Sequence, residues 1–122
     1  ALPIYQKIKW RFAIWHTNLY HKYVKEFSSE MANKIKCSHI LVEKQSQALK
    51  LIERINNGEK FGKLAKENSI DTGSAKRDGS LGYFSRGMMV KPFEEIAFKL
   101  EIGQVSEPVK TQFGYHIIKR FS

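Results

Sequence analysis

Few side chains in this sequence are placed to do chemistry. Cys37 is the only cysteine and stands two residues before His39, while His116 lies far downstream. Residues two apart in a strand project from one face, so Cys37 and His39 would point the same way. With His116 they offer thiolate and imidazole ligands for zinc. Cys-x-His with one distant histidine, however, lacks a fourth ligand and the spacing of structural zinc sites, so no metal is expected. A lone cysteine also excludes an intramolecular disulfide, and a redox role for it is disfavoured. A single inward histidine is more often a satisfied structural group than a catalyst, so position alone leaves the role of His39 open.

The elements that would hold these residues follow from periodicity. Residues 34–43 alternate as a strand, with Ile35, Cys37, His39 and Leu41 on one face and Ile40 and Val42 on the other. Ala48, Leu49, Leu51, Ile52 and Ile55 recur at helical spacing, and Gly58 closes that helix. Phe61, Leu64 and Ala65 predict a second, shorter helix. Residues 69–80 read as a loop rich in Ser, Asp, Thr and Gly, followed by a short strand at Leu81–Phe84. Pro92 suits the first turn of a further helix, with Phe93, Ile96, Ala97 and Leu100 facing inward. Val109–Thr111 and Tyr115–Arg120 complete the pattern as two strands joined near Gly114. The order strand, helices, strand, helix, two strands predicts an α+β domain with an antiparallel-rich sheet.

Residues 1–33 have a different character. Seven of the 15 aromatic residues fall in the first 30 positions, which contain no glycine. Ile4, Ile8, Phe12, Trp15, Leu19 and Tyr23 keep one face of a helix, and residues 28–33 read as a linker. Met31 could itself be a translation start, which would make the preceding segment an extension. The expected division is therefore residues 1–33 as an N-terminal extension and linker, and residues 34–122 as the principal domain.

Of the net charge of +9, +3 falls in the first 30 residues and +6 in the remainder. Such a balance favours anionic partners, and an anionic membrane surface is the candidate. Nucleic acid is disfavoured, because no recognised binding motif appears and the basic residues are dispersed. Lys7, Lys9 and Arg11 interrupt the early apolar residues, and no run approaches the 18 needed to span a membrane. A cytoplasmic monomer is expected, with peripheral contact at the inner membrane surface.

Four stretches, in this order, resemble the signature of the parvulins, in particular the stand-alone single-domain kind found in archaea. They are Lys36–Val42, Phe61–Ala65, Gly79–Phe93 and Phe113–Lys119. The resemblance implies a four-stranded antiparallel sheet wrapped by helices, and a cofactor-free peptidyl-prolyl cis/trans isomerase. By the same resemblance, His39 and His116 match the two central histidines, Asp71 a loop position that is cysteine or aspartate, and Thr111 the neighbouring hydroxyl. Cys37 is expected as a buried member of the histidine network. Leu81, Met89 and Phe93 match the apolar pocket that receives the proline ring, and Phe113 is grouped with them for substrate. Two departures stand out. The short link Glu43–Ser46 carries no arginine pair of the kind found in phosphate-directed relatives, and the loop after Asp71 is one residue longer than in some relatives. Proline-containing polypeptides are the implied substrates, turned over without phosphate preference. A chaperone-like binder with incidental turnover is the alternative.

Overall fold

The computed structural model describes residues 34–122, so the amphipathic pattern at residues 4–23 and the linker at 28–33 lie outside the described residues. The domain begins with β1 (Lys34–Val42), followed by helices α1 (Gln45–Asn56) and α2 (Phe61–Asn68) and the single turn α3 (Thr72–Ala75). Next come β2 (Ser80–Ser85), α4 (Lys91–Lys99), β3 (Val109–Thr111) and β4 (Gly114–Arg120). The strands form one four-stranded sheet in the order β2-β1-β4-β3, each neighbouring pair antiparallel. This is the α+β architecture that the element order implied. The α3 turn is the one departure: residues 69–80 were expected as loop throughout, but Ala75 N–H closes a helical turn on Asp71 C=O at 2.9 Å.

Alternation along β1 builds two cores, one on each face of the sheet. Ile40 and Val42 pack with Ala48, Leu51, Phe61, Leu64 and Ala65 of α1 and α2. Ile35 and Cys37 pack on the other face with Phe84, with Phe93 and Ala97 of α4, and with Leu100 just beyond that helix. Each fully buried side chain of this size contributes roughly 1.5–3 kcal/mol against leaving it in water. The odd-numbered residues of β1, His39 included, thus lie on the α4 side.

Register then sets the functional positions. His39 pairs with Ile118 and Leu41 with His116, so the two histidines are diagonal neighbours on adjacent strands and share a face. On the β2 side the register shifts between Cys37 and Ser38, which pair with Gly82 and Ser80 and leave Leu81 as an extra residue. An unbroken ladder would place Leu81 opposite Ser38, facing α1 and α2. The bulge at Gly82, whose φ of +69° suits glycine, lets Leu81 pack with the α4-side core instead.

Candidate active site

The loop that carries Asp71 is tied to β1 at both ends. At its start Leu41 N–H donates to Ser69 Oγ at 3.1 Å, and Ile70 N–H donates to Leu41 C=O at 2.8 Å. At its end His39 N–H donates to Gly79 C=O at 2.9 Å. Gly79 has φ +82°, and a Cβ there would sit 2.5 Å from the carbonyl oxygen of His39, so glycine is required on both counts. These bonds bring the Asp71 carboxylate 2.7 Å from His39 Nε2.

A continuous hydrogen-bonded chain follows. His39 Nδ1 lies 3.0 Å from His116 Nδ1, and His116 Nε2 lies 2.7 Å from Thr111 Oγ1. Phe113 N–H donates to the same Thr111 oxygen at 3.2 Å, and Ser74 Oγ donates to Asp71 Oδ2 at 2.6 Å. The two rings lie within 24° of coplanar, which suits an in-plane bond between their nitrogens. Both histidines are buried.

Charge and geometry together assign the protons. Hydrogen bonds from Ser74 and His39 hold the Asp71 carboxyl below its usual range, so it is an anion that only accepts. His39 Nε2 must therefore carry a proton. Burial holds His39 below the ordinary histidine value, outweighing its bond to Asp71, so the ring is neutral and its Nδ1 is bare. His116 then donates from Nδ1, and its bare Nε2 accepts from the Thr111 hydroxyl. Burial, reinforced by the neighbouring His39, pushes His116 down to about 4. Every proton in the chain runs one way, from Thr111 to Asp71.

Above this chain lies an open cleft of about 430 Å³. Leu81, Met89, Phe93 and Phe113 all line it, together with His39, His116 and Asp71. Phe93 stands edge-on to both imidazoles, with ring centroids 5.8 Å from His39 and 5.3 Å from His116. Thr111 touches His116 rather than the cleft, and so acts through the histidine. Cys37 is a correction to the expected network. It is wholly buried in the apolar cluster beside Ile35, Phe84 and Phe93, and is not a hydrogen-bonded partner of either histidine. Burial pushes its thiol up to about 11, which leaves it protonated and un-nucleophilic. Among the described residues no cluster of three or more metal-ligating side chains is formed.

The sequence reading missed Leu41, Met88 and Val90 as cleft residues, and Ser74 as the partner of Asp71. Leu41 was legible, since it shares the odd-numbered face with His39. Met88 and Val90 flank Met89 within one of the quoted stretches. Only the α3 turn, which brings residue 74 back toward residue 71, reveals Ser74.

Fold and site together are those of a cis/trans isomerase domain. The chain belongs to the PPIC-type peptidyl-prolyl isomerase family, whose domain model matches residues 20–121; it is an isomerase of the parvulin type. The solution structure of NmPin, the parvulin of Nitrosopumilus maritimus, is 72% identical with a TM-score of 0.69, the match covering 74% of this chain and 97% of that one. Pin from the archaeon Cenarchaeum symbiosum is also 72% identical, with a TM-score of 0.68 and coverage of 75% and 94%. The foldase protein PrsA of Geobacillus kaustophilus is 46% identical over 112 residues, 92% of this chain and 40% of that protein. The chain spans well under half the length of the curated relatives it matches, from 28% to 40%. Among the described residues no helix is long and apolar enough to cross a membrane.

Proposed function

We propose that residues 34–122 turn over X–Pro bonds in exposed or unfolded polypeptide segments, with no preference for phosphate before the proline. The observation that carries this reading is an apolar cleft floored by the Asp71–His39–His116–Thr111 chain. Rotation about an X–Pro bond must break amide resonance, a barrier of about 20 kcal/mol, and it requires no covalent bond to be made or cleaved. Water stabilises the planar, dipolar amide best. Walls made by Leu81, Met89, Phe93 and Phe113 replace that water and so favour the twisted state. A thousandfold acceleration requires only about 4 kcal/mol. Burial holds the imidazoles neutral and the directed proton chain fixes their edges, while Asp71 acts electrostatically on the rotating carbonyl. Thr111 positions His116.

Specificity follows from the lining. Among the described residues Asp71 is its one charged side chain, and no lysine or arginine lines the cleft. The link from β1 to α1 is only Glu43-Lys44, too short for a cationic clamp. A phosphoserine before proline is expected to gain nothing, while apolar or basic residues there are turned over at least as well. Exchange NMR on matched Ser-Pro and phosphoSer-Pro peptides makes the comparison, and a tenfold preference for the phosphorylated peptide would overturn it.

A second observation supports peripheral contact with an anionic membrane at its cytoplasmic surface. The groove of about 670 Å³ beside the β1 face opposite His39 is lined by Lys36, Lys60, Lys63, Lys66, Arg77 and Lys119 against one carboxylate, Asp78, which pairs with Lys66 at 3.1 Å, and exposed Phe121 lies among them. Each lysine near an anionic surface is worth about 1 kcal/mol at moderate salt. Residues 1–33 are an accessory segment in this reading, separable from catalysis and adding to the attraction. The full chain and a chain starting at Met31 should both co-sediment with anionic vesicles at low salt, the shorter one more weakly, and neither with neutral vesicles. Equal binding to neutral lipid would sink the electrostatic account, and loss of folding in the shorter chain would make the segment part of the core.

A further inference from the structure

The geometry points to Glu94 as the positioning residue that holds the methionine-bearing wall of the cleft at its working distance from Phe93. This inference rests on the cleft being the proline site. Residues 86–90 connect the end of β2 to the start of α4, and Met88, Met89 and Val90 of this loop line the cleft. Within the loop the internal ties are weak. Met88 N–H reaches Ser85 C=O at 3.3 Å, and Ser85 N–H reaches the Met88 thioether sulfur, a poor acceptor, at 3.4 Å. Arg86 stacks on α4, its guanidinium 4.3 Å from the centre of the Phe98 ring, at the end of the loop away from the methionines.

The strong tie is charge-assisted: Gly87 N–H donates to the Glu94 carboxylate. Gly87 has φ +90°, a conformation that only glycine adopts without strain. Glu94 belongs to the first turn of α4, one residue after Phe93. One helical turn therefore carries both the back wall of the cleft and the clamp on its front wall. Met89 and Val90 also pack on the α4-side core, but Met88 is 65% exposed and has little packing of its own, so the clamp sets the front edge of the loop and with it the spacing of this wall from Phe93. Releasing it should weaken the grip on proline while leaving the Asp71–His39–His116–Thr111 chain intact. The loss then appears in KM rather than in kcat.

Steady-state and exchange-NMR kinetics on Glu94→Ala, Glu94→Gln, Glu95→Ala and Met89→Ala test this, with the Gly87 amide resonance followed in each. Glu94→Ala should raise KM about tenfold with kcat nearly constant, and move the Gly87 amide toward the position of an unbonded N–H. Glu94→Gln keeps an acceptor oxygen and should recover most of the loss. Glu95→Ala removes the same charge from the exposed neighbouring position and should change neither readout. If Glu94→Ala keeps the wild-type KM while Met89→Ala raises it, the clamp is overturned and the cleft stands. If Met89→Ala also leaves KM unchanged, the cleft is not the proline site and the inference falls with it. A glutamine variant as impaired as the alanine one would overturn the hydrogen-bond role in favour of charge alone.

Discussion

Phe93→Leu is expected to lower kcat/KM for X–Pro turnover by on the order of tenfold, and Phe93→Ala by more. The Phe93 ring is 2% exposed and stands against both imidazoles and Phe84, so it closes the cleft to water from behind. Leucine fills much of that volume but lacks the flat edge that meets the histidines. Alanine leaves a cavity and costs about 3–5 kcal/mol, a large share of the 5–15 kcal/mol that stabilises a typical domain. The leucine variant is therefore the decisive one, with folding checked by circular dichroism and activity by a protease-coupled assay. A folded Phe93→Leu protein with full activity would place the proline site elsewhere. Met89→Ala is expected to act in the same direction through the opposite wall.

Acid should destabilise the domain well before its carboxylates titrate. His116 titrates near 4 in the folded domain against 6.5 ordinarily, so between these values the unfolded chain binds a proton that the folded one refuses. The stability that depends on neutral His116 is fully present above about pH 6.5 and is lost as pH falls toward 4, about 3 kcal/mol in all. His39 is displaced in the same direction, for the same reason of burial, and adds to the loss. Asp71 has the opposite sign: its lowered value means its contribution persists to about pH 4 and disappears only below it. Structure supplies the cause. A second proton on His116 would go to Nε2, which accepts from the Thr111 hydroxyl at 2.7 Å, and that bond would have to break; a second proton on His39 would put N–H groups on both Nδ1 atoms, 3.0 Å apart. Urea midpoints measured from pH 7.5 to 4 should fall steadily for the native protein, and much less steeply for His116→Gln. A midpoint that stays flat from pH 7 to 4.5 would refute this account, and turnover should decline over the same range.

Much of this protein was legible in the order of its residues. Strand alternation in residues 34–42 placed Cys37, His39 and Leu41 on one face and Ile40 and Val42 on the other, because side chains in an extended chain must alternate. Pro92 at the start of α4 and Gly58 just beyond α1 announced helix ends through backbone restrictions that hold in any fold. The parvulin resemblance rested on types at fixed positions, and it picked out His39, His116, Leu81, Met89, Phe93 and Phe113, which all meet in one cleft. Local rules could not reach the α3 turn, where the hydrogen bonds of Ser74 and His39 to Asp71 reinforce four residues of weak helical tendency.

What only the tertiary structure decided is which groups touch. Cys37 and His39 are equivalent by alternation, yet one sits among hydrocarbon side chains and the other joins a polar chain. The difference arises from what packs above each: Phe84 and α4 over Cys37, the returning Asp71 loop and β4 beside His39. The direction of the proton chain, the refusal of His116 to accept a second proton, and the face on which Leu81 emerges depend likewise on contacts between residues far apart in sequence. Periodicity follows from the geometry of one chain segment and can be read from it alone. Burial, register and hydrogen-bond direction are properties of pairs, and they exist only once the sheet has brought those pairs together.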